Sequence, residues 1–281
     1  GIIPLFCINI KTNFMIRAEG NLRKMTAHAD IPVHYSLEFH DIAIDMNELI
    51  NKEITFRYTG QINCMKCGTV TKKSYGQGYC YPCFISIPET EECVMRPELC
   101  RAHEGIARDI DFATNHCLIE HVVYLANSSG LKVGVTRYTQ IPTRWLDQGA
   151  TQAIKVATTP NRYTAGMIEV ALKNVFADKT NWRKMLTNDL GETIDLLEQK
   201  GMAEEVLPFD LRQYISDDDT LYTFDYPVVE YPEKVKSMTF DKMPEITGIL
   251  KGIKGQYLIF DDNRVINIRK HNGYKVEINI E

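Results

Sequence analysis

The residues best able to do chemistry in this 281-residue chain are its eight cysteines, and four of them form a regular pattern. Cys64-x2-Cys67 and Cys80-x2-Cys83 are two close pairs with twelve residues between them. Thiolates at i and i+3 of a tight turn face one ion, and two such knuckles complete a tetrahedral Zn²⁺ shell. Gly68 follows the first pair, and Gly76, Gly78 and Pro82 bend the chain around the second. Four sulfurs close the shell and leave no place for a catalytic water, so the metal would be structural, as in a zinc ribbon. Two disulfides or a redox Cys-x-x-C are the competing readings, and paired knuckles at this spacing favour zinc over both.

A second group follows, made of Cys93, Cys100, His103, His116, Cys117 and His121. Cys100-x2-His103 repeats the knuckle spacing, and Cys93 with Cys117 would complete a Cys3His shell. The spacing is irregular, and buried cysteines acting as small hydrophobes beside hydrogen-bonded histidines are the rival account. His121 directly precedes a strand and could instead line a pocket.

The elements that position these groups are legible from periodicity. Val33, Tyr35, Leu37 and Phe39, then Ile54, Phe56 and Tyr58, alternate as in half-buried strands leading into the first knuckle. Residues 119–126, a turn at Asn127–Gly130 and residues 131–136 read as a hairpin with Tyr124 on its first strand and Lys132, Gly134 and Thr136 on its second. A short helix with Arg144 and Trp145 follows. Next come a strand over 153–158 and a helix over 162–176, on which Ile168, Ala171, Leu172 and Val175 form an apolar stripe with Glu169 beside it. The stretch 192–206 has helical spacing, and 216–232, with three consecutive aspartates and two prolines, reads as an exposed connector. The tail alternates over 256–260, 264–269 and 274–280, and Asn272-Gly273 is a hairpin signal. The terminal β regions would form one small barrel or two.

The order Val-Val-Tyr124, Lys-Val-Gly134, Thr136, Arg144 and Ile-Glu169 resembles the GIY-YIG nuclease superfamily over residues 119–190, about a quarter of the chain. The resemblance implies a three-stranded sheet with helices and metal-dependent phosphodiester cleavage. Tyr124 would orient the nucleophile, Arg144 would grip the scissile phosphate, and Glu169 would hold Mg²⁺ or Mn²⁺. Lys132 stands where the superfamily's second motif has a tyrosine, which puts the proton-transfer scheme in question. The zinc cysteines, this block and the tail Gly252-Ile253-Lys254-Gly255-Gln256 together also look like a bacterial family with no established activity.

Composition sets the outer bounds. Hydrophobic content of 44% and charged content of 25% are those of an ordinary globular protein. The longest apolar run is too short to span a bilayer, so no membrane partner is expected. Metal-binding thiols imply a reducing, cytoplasmic setting. The net charge of −5 conceals an asymmetry: residues 121–190 carry +5 and residues 191–245 carry −9. A basic block beside an acidic one suggests a polyanion-binding face for DNA or RNA, and an acidic segment free to meet a protein partner.

The expected fold class is therefore α/β (α+β), divided into six segments. Residues 1–14 are an appended remnant, an upstream extension or an extra edge strand. Residues 15–63 form a β-rich region, 64–118 the ribbon and Cys/His-rich stretch, 119–190 the GIY-YIG-like unit, 191–245 the acidic connector and 246–281 a C-terminal β module. Two rivals stand beside the nuclease reading: a non-catalytic zinc protein that binds RNA or DNA, and a protein-interaction adaptor.

Overall fold

The computed structural model describes residues 16–39 and 42–280, so the expectation for residues 1–14 lies outside the described residues. The chain opens with β1 (Ile16–Asn21), β2 (Thr26–His28), β3 (His34–Phe39), β4 (Ile42–Asp45) and the long β5 (Glu53–Asn63). β6 (Val70–Thr71) lies between the two pairs of the first cysteine group, α1 (Tyr81–Ser86) carries Cys83, and α2 (Ile110–His116) ends a stretch of short 3-10 turns. β7 (His121–Asn127), β8 (Leu131–Arg137), α3 (Thr143–Asp147), β9 (Gln152–Thr159) and α4 (Arg162–Leu172) follow closely. Then come α5 (Trp182–Leu186), α6 (Leu196–Val206), β10 (Tyr222–Thr223), β11 (Lys236–Met238), β12 (Glu245–Lys254), β13 (Tyr257–Phe260), β14 (Arg264–Asn267) and β15 (Tyr274–Ile280). The protein is α+β, as its mixed periodicities predict.

The first and last described strands, β1 and β15, pair within one eight-stranded sheet, ordered β1-β15-β5-β12-β13-β14-β11 with β6 paired to β5. It is an open sheet, not the small barrel or pair of barrels expected. Phe56 of β5 sits between Ile278 of β15 and Ile246 of β12, and all three are buried. The small sheet β2-β3-β4 covers this core with Tyr35, Leu37 and Phe39. Asn272-Gly273 does not join paired strands: β5, β12 and β13 lie between β15 and β14. Its backbone is engaged elsewhere, with Gly273 accepting from Asn63 N at 2.8 Å and donating to Leu22 O at 2.8 Å.

The third sheet, β10-β9-β7-β8, is antiparallel around a central β7. Alternation assigns its faces. Val123, Leu125, Val133, Ile154 and Val156 point to α4 and α6, whereas Val122, Tyr124 and Ala126 point to Trp145 of α3 and Ala150. Asn161 caps α4 by accepting from Thr164 N at 2.9 Å. The helix ends at Leu172, earlier than its apolar stripe suggests, and Val175 is exposed. The chain there turns to lay Ala177 along the free edge of β8, where its carbonyl accepts from Val133 N at 2.8 Å. Covering that edge satisfies donors that would otherwise face solvent or another chain.

Residues 216–232 are a packed strap rather than a free connector. Ser216 N donates to Val156 O at 2.9 Å, and the buried Tyr226 hydroxyl donates to Ala150 O at 2.6 Å. Asp218 and Asp219 pair with Lys155 at 2.9 Å and Lys200 at 2.7 Å. The Gly252–Gln256 tail locks onto the end of α3. Gln256 bonds both Met25 N and O and donates to Asp147 Oδ1 at 2.8 Å, while Lys24 pairs with Asp147 at 2.7 Å. Gly255, at φ +62°, sits where a Cβ would lie 3.1 Å from Asp147 O, so glycine serves both the turn and the close approach.

Candidate functional site

Two cysteine groups and one buried polar cluster concentrate the chemistry. In the first group, Gly68 N donates to Cys64 O and Cys64 N to Thr69 O, both at 2.9 Å, closing the first knuckle. Cys80 is the N-cap of α1, and Pro82 lies in that helix's first turn, where its missing N–H is harmless. Gly78 has φ +135°, and a Cβ there would strike Met65 at 2.6 Å. The result is that Cys64, Cys67, Cys80 and Cys83 hold their sulfurs within 4.8 Å of one another, with 3.8 Å between those of Cys67 and Cys80. Burial raises the Cys64 thiol, but backbone N–H groups of Cys67, Cys80 and Lys66 outweigh it and bring it down to about 6. Burial and the neighbouring sulfurs push Cys83 up to about 12. A sulfur held below the usual thiol range with three more beside it is a ready site for a cation. The group can hold a metal such as zinc.

The second group is deeper. Cys93, Cys100 and Cys117 are buried, with sulfurs within 4.8 Å of one another, and can likewise hold a metal such as zinc. Hydrogen bonds from the other two thiols hold Cys100 well below the usual thiol range. His103, expected beside them, is not brought to this trio: its ring is exposed and stacks on Tyr163 at 4.4 Å. His116 stacks on Phe112 at 3.8 Å. His121 is buried at the start of β7.

The polar cluster lies where β8 meets α3 and α4. Tyr124 and Lys132 share the α3-facing side of the sheet, with Gly134 directly across from Tyr124. A Cβ at Gly134 would lie 2.6 Å from the tyrosine hydroxyl, so glycine there is what lets the ring lie across β8. That hydroxyl donates to Gln148 Oε1 at 3.1 Å. Burial raises the Tyr124 pKa, with the Arg144 charge and the Gln148 bond opposing and Glu169 adding to it. Burial, followed by the charge on Arg144, lowers Lys132 to about 7, against the pull of Glu169 and Asp178. Glu169 reaches the cluster around the β8 edge from α4. Burial raises its pKa while Lys173, 3.4 Å from Oε2, lowers it. Apart from that ion pair, Oε2 has no hydrogen-bond partner among the described residues. Tyr124, Lys132, Arg144 and Glu169 thus come within electrostatic reach of one another.

Gln148, Lys173 and Asp178 belong to this cluster and escaped the sequence reading, because nothing in their local pattern marks them. They arrive with the helix ends that bring their neighbours in.

The fold and sites define a mixed α+β protein with two cysteine groups suited to metal. The chain belongs to the family described as protein of unknown function (DUF2797), whose model matches residues 51–276. No curated protein and no solved structure matches it. Among the described residues, no helix is long and apolar enough to cross a membrane.

Proposed function

We propose that this chain is a zinc-stabilised nucleic-acid-binding protein whose β7–α4 unit is a divalent-metal-dependent endonuclease centre of the GIY-YIG kind. One observation carries the reading: two cations, a tyrosine and a carboxylate, drawn from two strands and two helices, lie close enough to act on one another's charge. Zinc on Cys64, Cys67, Cys80 and Cys83 would hold the ribbon in shape. Glu169 Oε2, held among the described residues only by the Lys173 ion pair at 3.4 Å, fits a Mg²⁺ or Mn²⁺ ion, which often takes a single protein carboxylate and keeps its waters. Such an ion would supply a Lewis acid for the phosphate. The remaining work falls to the chain's own side chains. Arg144, half-buried, offers a fork of donors to a phosphate. Tyr124, held by Gln148, orients the attacking water. Lys132, titrating near 7, can accept its proton at neutral pH.

Non-catalytic binding of RNA or DNA is favoured by a different observation. Tyr124 is only 1% exposed, and its hydroxyl already has a partner, so the fold can keep this tyrosine as core. The test is cleavage of mixed single- and double-stranded DNA and RNA with Mg²⁺ or Mn²⁺, beside salt-dependent binding. Cleavage abolished by Glu169→Gln with binding retained supports the endonuclease. Binding without cleavage under every condition leaves the second reading, and neither binding nor cleavage rejects both.

A further inference from the structure

We infer that Cys93, Cys100, Cys117 and His121 form a second, closed zinc site of the Cys3His type, whose ion fastens the starts of β7 and α4 to the irregular segment before them. Three buried sulfurs within 4.8 Å of one another are one ligand short of the tetrahedral shell of structural zinc. His121 supplies a donor suited to the fourth place. It is 1% exposed, and its Nδ1 lies 2.8 Å from Ile119 O. A carbonyl only accepts, so Nδ1 carries the proton and Nε2 presents a bare lone pair. That nitrogen is buried with no hydrogen-bond partner among the described residues, an arrangement that costs stability unless something binds it. An imidazole that donates its other N–H to a backbone carbonyl is also how zinc histidines are held by their surroundings.

Chain geometry favours His121 over its neighbours. His103 is exposed and stacked on Tyr163, and His116 has its Nδ1 3.0 Å from Phe112 O with its ring stacked on Phe112. His121 follows Cys117 by four residues and lies close enough to Cys100 for that sulfur's charge to act on the ring. It stands outside the 4.8 Å trio, so ligation draws Nε2 inward over the three sulfurs.

Charge also balances. Three thiolates and one neutral imidazole on a dication leave one negative charge, and Arg162 is placed to offset it. Its side chain donates to Cys93 O at 3.1 Å and to His116 O at 3.4 Å, and its backbone N donates to Cys117 O at 2.8 Å. Arg162 is also the first residue of α4, and His121 the first of β7. The ion would therefore anchor the strand that carries Tyr124 and the helix that carries Glu169. The site stands whether or not that pair cuts nucleic acid.

The test is metal content of the purified full chain, followed by Co²⁺ replacement. Two zinc ions per chain are expected, falling to one in His121→Ala and staying at two in His103→Ala. Should His121→Ala fail to fold, His121→Cys keeps two metals and adds one thiolate to the cobalt–sulfur charge-transfer absorption. One zinc per chain in the wild type, with Cys93, Cys100 and Cys117 open to alkylation in the folded protein, overturns the site. So does loss of the second metal in His103→Ala but not His121→Ala, or a cobalt spectrum unchanged by His121→Cys.

Discussion

The two cysteine groups solve the same chemical problem in opposite ways. The first is built on local sequence: knuckle turns, positive-φ glycines and a short helix gather four sulfurs within twenty residues, and Cys67 is exposed. The ribbon it closes hangs from the end of β5, held to the large sheet by contacts such as Asn272 Nδ2 to Gln77 O at 3.1 Å. The second is built by tertiary structure. Its sulfurs come from two 3-10 segments and the end of α2, and the backbone around Pro97 and Glu98 is pressed onto α4. One group is an appendage, and the other is a joint between the irregular segment and the central sheet.

The largest expected difference is in what unfolds when a ligand is lost. Structural zinc in finger peptides contributes roughly 10–16 kcal/mol of apparent binding free energy. At an appendage that loss stays local, and at a joint it spreads. Cys80→Ser should remove hydrogen-exchange protection from residues 64–87 and leave the central sheet protected. Cys117→Ser should remove it from β7 and α4 as well, and lower the main melting transition. Equal, local effects of the two substitutions would erase the distinction.

A smaller contrast concerns charge. Lys66 of the ribbon pairs with Glu89 at 2.8 Å with half its side chain exposed, and Lys66→Ala should leave stability nearly unchanged at any pH. Lys132 is buried in the central unit, and its pKa is lowered to about 7. Unfolded, it holds its proton to about 10.4. Between those values the unfolded chain binds more protons, so folding stability rises with pH from about 7 to about 10. Below 7 the lysine is charged in both states, and the cost of burying it is complete. Lys132→Met should therefore be stabilising at pH 6, by up to about 5 kcal/mol at 1.4 kcal/mol per pKa unit, with the gain fading toward pH 10. A gap between the two proteins that does not change with pH would mean Lys132 is not buried as a cation.

How much of this was legible follows the same division. The first cysteine group, the hairpin of β7 and β8, and the strands around Phe56 and Ile278 were readable because each depends on spacing within a short window. The order of Tyr124, Lys132, Arg144 and Glu169 was visible, but Gln148 and Asp178 were not. The pairing of β1 with β15 was hidden because it joins residues more than two hundred positions apart. Asn272-Gly273 misled for a related reason: local turn chemistry says where the chain bends, and the competition among strands decides what it pairs with. The buried Lys254 illustrates the limit. As sequence it is one more charge in a tail, yet it is fully buried, with Nζ 3.0 Å from Asn188 Oδ1 and over the rings of Tyr226 and Tyr231.

The smallest expected effects come from two helical glycines that sequence alone treats alike. Gly166 of α4 lies against the segment that carries the second cysteine group, and a Cβ there would sit 2.2 Å from Glu98 N. That neighbour is backbone, so it cannot swing aside, and the helix would have to lift from the segment holding Cys93 and Cys100. Gly166→Ala should destabilise by about 1–3 kcal/mol, the range for overpacking a close contact. It should also weaken metal retention at the second group only. Gly201 of α6 is exposed with nothing within 4 Å of its Cβ position, so Gly201→Ala should gain about 0.5–1 kcal/mol from helix propensity. Thermal melts with metal analysis of both variants decide the matter. If Gly166→Ala stabilises as Gly201→Ala does, α4 is not pressed against the cysteine segment, and the second group loses its standing as a joint.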